Sequence, residues 1–206
     1  QGRSPIHEPG LEDLLRRGID AGRLTFAATY PDVFDARIVF IAVNTPEAQE
    51  GAADIRAVRD AVSTVAARLK NHSIIVNKST VPIGTGDLVA GMAERAGCRS
   101  IAVVSNPELL REGSAIKDFM EPDRVVLGSD DREAMDRVAA LYAPLYPVVQ
   151  RVDIRTAEMI KYASNAFLAT ALFNNTVGIG VANNSAFRLQ LAGGAGVWRG
   201  GIAAGG

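Results

Sequence analysis

The 206-residue sequence is short of several residue types on which whole classes of chemistry depend. Its single cysteine, Cys98, excludes an internal disulfide and a cysteine-based zinc site, and fits a reducing cytoplasm. With His7 and His72 as the only histidines, there is no material for a histidine-based triad or metal cluster, and no metal is expected. Neither sign of charge prevails. Twenty-two basic against 23 acidic side chains cannot make the broad positive surface of a non-specific nucleic-acid binder, so no nucleic-acid partner is expected. No stretch approaches the ~18 uninterrupted apolar residues of a membrane span, and no membrane association is expected. The opening Gln1-Gly2-Arg3-Ser4-Pro5 has neither an initiator methionine nor a signal-peptide pattern, so the chain reads as an internal piece. What remains, at 48% hydrophobic and 22% charged residues, is a globular chain large enough for one domain, or one domain and part of a second.

Apolar runs of strand length alternate with helical patterns. Leu24–Ala28 is a short strand candidate, and Ile38–Val43, six apolar residues in a row and rich in β-branching, reads as a central strand buried on both faces. Ile55, Val58, Val62, Val65, Ala66 and Leu69 form the stripe of an amphipathic helix, with Asp54 as its candidate N-cap. Strands are expected at Ser73–Asn77, Ile101–Asn106, Val125–Gly128 and Val148–Val152, and helices at Thr85–Ala96 and Arg132–Tyr142. Alternation in units of roughly thirty residues predicts βαβ crossovers, hence a doubly wound parallel α/β sheet with helices on both faces. Thr156–Phe173 reads as a long helix with Ala157, Ile160, Ala163, Ala166, Phe167, Leu168 and Leu172 on or near one face. From Thr176 to Gly206 there is no Asp, Glu or Lys, and Gly-Gly pairs accumulate. This unassigned Gly/Ala-rich tail reads as a flexible linker or as sequence translated out of frame, because GC-rich DNA read in a shifted frame yields Gly, Ala and Arg.

Ligands of open parallel sheets bind beyond the carboxyl ends of the strands, which selects three loops. The first is the turn Asn44-Thr45-Pro46. The second, Lys78-Ser79-Thr80-Val81-Pro82-Ile83-Gly84-Thr85-Gly86, leads hydroxyls and glycines into a helix whose N-terminus could face an anion. It is not a Gly-x-x-x-x-Gly-Lys-[Ser/Thr] phosphate loop, which disfavours a nucleotide-triphosphate hydrolase. The third, Asn106–Ser114, holds Glu108 and Glu112, which would share a face on a helical turn. Paired carboxylates can do acid–base work, yet on the residues alone these two read as solvated acids. Lys161 and Asn165, four apart on the long helix, could together stabilise an oxyanion or equally be its wet stripe. Cys98 precedes a strand and so falls at the amino end of the sheet, away from these loops, where it reads as a structural thiol.

Four segments taken together are more specific. Pro5–Leu11 (PIHEPGL), Asn77–Gly86 (NKSTVPIGTG), Asn106–Phe119 (NPELLREGSAIKDF) and Lys161–Phe167 (KYASNAF) resemble, in that order, the nucleotide-sugar 6-dehydrogenases of the UDP-glucose/GDP-mannose type. The resemblance runs from about Pro5 to about Phe173. Within the family, Arg111–Ile116 and Met120–Arg124 resemble the bacterial UDP-glucose-using members rather than those using GDP-mannose or UDP-N-acetylmannosamine. The resemblance implies oxidation of the sugar C6 alcohol to a carboxylate by two hydride transfers to NAD, with a cysteine capturing the aldehyde as a thioester that is then hydrolysed. By motif, Thr80 would sit beside the nicotinamide and help position the hydrolytic water, and Glu108 would assist hydrolysis as a base. Glu112 would contact the nicotinamide part of NAD, and Lys161 and Asn165 would stabilise the oxyanion at C6. Asn44, Thr45 and Pro46 would form the turn over the dinucleotide, with Asn44 in place of a usual Gly. Leu109, in place of a usual Phe, and Leu110 would line the sugar pocket with Glu108, Lys161 and Asn165.

The family's opening strand with its Gly-x-Gly-x-x-Gly turn and its Gly-Gly-x-Cys-Phe-Pro-Lys-Asp segment are not in this sequence. Nor is its C-terminal UDP-binding domain. The expectation is therefore an interior fragment: residues 1–155 a Rossmann-type NAD-binding domain without its first βαβ unit, 156–175 the start of a long connecting helix, and 176–206 unassigned. By the family's strand order, the missing strands would lie between Leu24–Ala28 and Ile38–Val43 and leave an unpaired edge. The fragment by itself is expected to be inactive, and the full-length parent to be a homo-oligomer. A different nucleotide sugar, or a non-catalytic α/β binding module, are the alternatives.

Overall fold

The computed structural model describes residues 4, 6, 8–29, 35–47, 53–98, 100–111, 113–173, 180–182 and 186–188, with backbone alone from residue 168 onward. The chain divides into two units, 1–161 and 162–206.

The first unit is built on five strands in the order β1-β2-β3-β4-β5: Ile38–Ile41, Ile74–Asn77, Ala102–Ser105, Val125–Gly128 and Val149–Val152. Helices α1 (Leu11–Asp20), α2 (Arg56–Ala66), α3 (Thr85–Arg95), α4 (Ala115–Met120) and α5 (Arg132–Tyr142) precede or connect them. Helix α6, Ile154–Phe173, starts in the first unit and ends in the second, which also holds the antiparallel pair β6 (Gly180–Ala182) and β7 (Ala186–Arg188).

Helices cover both faces of the sheet. Alternate side chains of β2 divide between two cores. Ile75 joins Val58, Val62 and Val65 of α2, Val89 and Ala93 of α3, and Ile154. Ile74 and Val76 join Val104, Leu127 and the α5 residues Met135, Val138, Ala139 and Tyr142. All four residues of β2 are buried, as expected of a strand with neighbours on each edge and helices on each face.

The sheet is mixed rather than wholly parallel. β1, β2 and β3 are parallel, as are β4 and β5, but β3 meets β4 antiparallel through the single pair Ser105 and Gly128. The connection between them carries only the six-residue α4, not the packed crossover helix that makes a parallel pair. Two side chains reinforce the junction: Asn106 Nδ2 donates to the Val126 carbonyl at 3.0 Å, and Ser129 Oγ to the Val103 carbonyl at 2.6 Å.

Other expectations are corrected. Leu24–Ala28 is not a strand, and α1 and α4 fall where no helix was expected. β1 is an edge strand among the described strands: the central position read from its apolar run alone does not hold, whereas the unpaired edge expected from the family's strand order is found. β1 pairs with β2 alone among the described strands, and Phe40 is 38% exposed. A β-branched apolar run reports strand propensity, whereas position in the sheet depends on partners elsewhere in the chain. α2 starts one residue later than an Asp54 cap would place it, with Ile55 at the N-cap. The Asp54 carboxylate still accepts the Arg56 backbone N–H at 2.9 Å and grips its guanidinium, and this pairing lowers the Asp54 pKa.

α6 lies directly on the end of β4. A Cβ built on Gly128 would stand 2.4 Å from Ala157 Cβ and 2.7 Å from the Asp153 carbonyl, so only glycine admits this approach. Gly128→Ala is expected to destabilise the fold by about 1–3 kcal/mol through overpacking, measured by urea unfolding. Gly91→Ala, where the added Cβ meets only the flexible end of Arg95 at 3.3 Å, serves as the control. Equal midpoints for wild type and Gly128→Ala would rule out the close packing.

Candidate active site

The parallel run of β1, β2 and β3 brings three loops to one end of the sheet. The first two are stitched together. Lys78 and Ser79 donate their backbone N–H groups to the Ile41 carbonyl at 2.9 and 3.1 Å. Ser79 Oγ donates to the Val43 carbonyl at 2.7 Å, and Thr45 Oγ1 to the Thr80 carbonyl at 2.7 Å. Asn44-Thr45-Pro46 is thereby held against Lys78–Thr80, with Thr45 half-buried beneath and Asn44 and Pro46 exposed. Val81 roots the second loop in the core.

The third loop is not helical at Glu108, so the shared-face reading of Glu108 and Glu112 falls; Glu112 lies outside the described residues. Nor is Glu108 a solvated acid. One carboxylate oxygen accepts the backbone N–H of Leu110, and the other lies 3.1 Å from Lys161 Nζ. Asn106, beneath it, is buried and accepts the Tyr142 hydroxyl at 2.5 Å. Burial raises the Tyr142 pKa, keeping that donor protonated. Leu109 and Leu110 are half-buried. The distal part of the loop is tied by Asp118, which takes Arg111 at 2.7 Å and Ser114 at 3.2 Å. The first of the four sequence segments joins it here, because Glu8 accepts the N–H of Gly113 at 3.1 Å and of Ile116 at 3.4 Å, at the start of α4.

α6 supplies the fourth part. Its buried stripe over the first two turns is Ile154, Ala157, Glu158 and Lys161, with i, i+3, i+4, i+7 spacing. Ile160, expected inward, is only half-buried, and two charged residues take inward positions. Lys161 reaches Glu108. Glu158 reaches the amino end of α3, where Oε2 accepts Gly84 N–H at 2.6 Å and Oε1 accepts Gly86 N–H at 2.7 Å. The helix N-terminus that the sequence offered to an external anion is thus occupied by this chain's own carboxylate. A Cβ on Gly86 would stand 2.2 Å from Ile154 Cδ1, so the two helices meet there without room for a side chain. Asn165, one helical turn beyond Lys161, falls in the second unit and is exposed.

Two side chains that the residue pattern alone did not single out belong to this site. Lys78 is half-buried, and that burial lowers its pKa; the Glu108 charge opposes that shift and the Lys161 charge adds to it. Lys78, Lys161 and Glu108 therefore share one electrostatic environment with an excess of positive charge. Asn77 is 2% exposed, yet neither polar atom of its side chain has a partner. No described residue hydrogen-bonds the Thr80 hydroxyl or the Lys78 ammonium either. An unpaired amide at a buried position such as Asn77 is uncommon in a folded interior, and the half-buried Lys78 and Thr80 beside it are polar groups of this loop left open to a ligand. Their signal in the sequence was position, at and directly after the end of a fully buried strand. Glu158 was legible only as three residues before Lys161.

A helix-flanked sheet with its polar groups gathered beyond the carboxyl ends of three parallel strands is the architecture of a dinucleotide-dependent dehydrogenase domain. The chain belongs to the UDP-glucose/GDP-mannose dehydrogenase family, whose NAD-binding-domain model matches residues 1–146. It is 46% identical over 175 residues to the UDP-glucose 6-dehydrogenase YwqF of Bacillus subtilis, and 46% identical over 181 residues to the UDP-glucose 6-dehydrogenase of Pseudomonas aeruginosa. These alignments cover 84% of this chain, which spans about 40% of the length of each relative. Among solved structures, a UDP-glucose dehydrogenase from Pyrobaculum islandicum superposes with a TM-score of 0.77 at 44% identity, over 82% of this chain and 40% of that one. A GDP-mannose dehydrogenase from P. aeruginosa superposes equally well at 34% identity, over 84% of this chain and 42% of that one. No helix among the described residues is long and apolar enough to cross a membrane.

The burial of Lys78 has a thermodynamic consequence. A lysine whose folded pKa lies below its unfolded value binds fewer protons folded than unfolded. The penalty is present below the folded value, and stability climbs with pH between the two values. Lys78→Met is accordingly expected to raise the thermal midpoint at pH 7 by about 2–4 °C, as read by differential scanning calorimetry. A lowered midpoint would mean that attraction to Glu108 outweighs desolvation. For the Lys161–Glu108 pair, a double-mutant cycle of Lys161→Met and Glu108→Gln in urea is expected to give a coupling of about 1 kcal/mol. Zero coupling would reduce the pair to proximity.

Proposed function

We propose that this chain is the part of an NAD-dependent UDP-glucose 6-dehydrogenase in which the nicotinamide end of the cofactor meets the sugar C6, and that the complete protein converts UDP-glucose to UDP-glucuronate. The observation that carries the reading is the Lys161–Glu108 pair, anchored from two separate elements at the ligand end of the sheet. Identities of 46% to enzymes named UDP-glucose 6-dehydrogenase, against 34% to a GDP-mannose dehydrogenase, support the choice of sugar.

The residues present fit the cofactor's reactive half. The exposed Asn44 and Pro46 with Thr45 beneath them and the half-buried Thr80 hydroxyl offer a polar edge to a planar amide-bearing ring, which Glu112, by the family resemblance, would also contact. NAD supplies hydride acceptance when bound. The chain's own groups do the rest. The Lys161 ammonium donates to the oxyanion that develops at C6, with the Asn165 amide as the second donor, and Lys78 adds positive charge nearby. As Lys161 turns to the substrate oxygen, Glu108 is released from its ion pair to take a proton from water, and Thr80 holds that water by its hydroxyl. Leu109 and Leu110 pack beside the sugar.

The thiol that captures the aldehyde is not Cys98. That side chain is buried at the amino end of the sheet, with Sγ 2.8 Å from the Ala66 carbonyl. The same reading places the complete enzyme in the cytoplasm as a homo-oligomer, making UDP-glucuronate for polysaccharide biosynthesis.

The test is a complete dehydrogenase carrying this segment, assayed with UDP-glucose, GDP-mannose and UDP-N-acetylmannosamine. We expect two NADH formed per UDP-glucose, and kcat lower by about 10²–10⁴-fold in Glu108→Gln or Lys161→Ala. The 206-residue chain alone is expected to turn over none of the three. Preference for another nucleotide sugar would move the substrate assignment. Unchanged kcat in both variants would remove the catalytic one.

A further inference from the structure

Glu158 has no part in the roles proposed above, yet it is 2% exposed and ionisable, which is an unusual state for a carboxyl group. Burial raises its pKa, and the two N–H bonds from Gly84 and Gly86 oppose that shift. The charged groups facing it are Asp87 from α3 and Arg155 from its own helix, and these two are paired with each other at 2.7 Å.

The segment 78–86 is held at three places. Its first residues are fastened to Ile41, Val43 and Thr45, Val81 is rooted in the core, and its last residues are fastened to Glu158. Three residues further along the same buried stripe, Lys161 fastens the loop that carries Glu108. One turn of α6 thus presents an acid to one loop and a base to the other.

We propose that Glu158 is a positioning residue that sets Thr80 by holding both Gly84 and Gly86 amides. The proposal rests on the reading of Thr80 as a site residue. Geometry favours a carboxylate: two N–H donors converge on it, and each is bonded to a different oxygen. A glutamine at 158 would satisfy one donor and turn its own NH2 toward the other, and an aspartate is one methylene too short to span both.

The test is NMR on the ¹³C,¹⁵N-labelled 206-residue chain and its Glu158→Gln and Glu158→Asp variants. In the wild type, the Gly84 and Gly86 amide protons should move with pH at one common midpoint matching the Glu158 side-chain carbon. The Thr80 amide should follow at that midpoint, while Val76 and Leu127 in the core stay fixed. In Glu158→Gln the shared titration should vanish and hydrogen exchange at Thr80 and Val81 should rise about tenfold. Glu158→Asp should restore part of the protection.

A wild-type Thr80 that ignores the titration, or unchanged exchange in Glu158→Gln, would overturn the proposal. The wild-type titration decides the matter alone if neither variant folds. Failure of the functional reading looks different: Thr80 follows Glu158 as expected, but a complete dehydrogenase carrying this segment keeps full turnover when Thr80 is replaced by Ala.

Discussion

The ligand end of this domain depends on two oppositely charged side chains buried on the first two turns of one helix. Glu158 and Lys161 occupy the inward stripe of α6, where apolar residues are the usual choice, and each is satisfied by a different loop. Removing one partner of such an arrangement leaves a charge in a place water reaches poorly, which is far more costly than losing a surface ion pair. The loops are therefore held in place by the helix, although neither belongs to regular structure.

That helix can reach them only because the sheet lets it approach. Gly128 ends β4 directly beneath Ala157, and Gly86 opens α3 directly against Ile154, so at both contacts backbone meets side chain with no Cβ between. Below the loops, the buried strands β2 and β3 fix the heights at which Asn77 and Asn106 end, and the backbone N–H of Asn106 donates to the Asn77 carbonyl at 2.9 Å. The two asparagines then diverge. Asn106 is satisfied by Val126 and Tyr142 and acts as scaffold, whereas the buried Asn77 amide is left unpaired.

Much of this was legible beforehand. Strands with continuous β-branched runs, such as Ile74–Asn77 and Val125–Gly128, and helices with a clean stripe, such as Arg132–Tyr142, follow from local periodicity that tertiary contacts reinforce. Thr45 and Thr80 were selected by the rule that ligands sit beyond strand ends, and the structure joins them by a hydrogen bond. The residues that misled did so for identifiable reasons. Ile38–Val43 looked central because apolar content does not record how many partners a strand has. Leu24–Ala28 had the composition of a strand but no partner among the described strands, and the spacing of Glu108 and Glu112 invoked a helix that the loop does not form.

The sequence by itself determined the alternation of strands and helices, the three loops at one end of the sheet and the family resemblance, because each rests on local pattern or contiguous motif. Only the tertiary structure decided that β4 runs against β3, that Glu108 is paired with Lys161 across more than fifty residues, and that Glu158 fills the start of α3. It also decided that Lys78 is half-buried close enough to feel the charge of both members of that pair. These facts concern which groups are withdrawn from water together. Burial of that kind is created by chain segments far apart in sequence, so no window along the chain contains it.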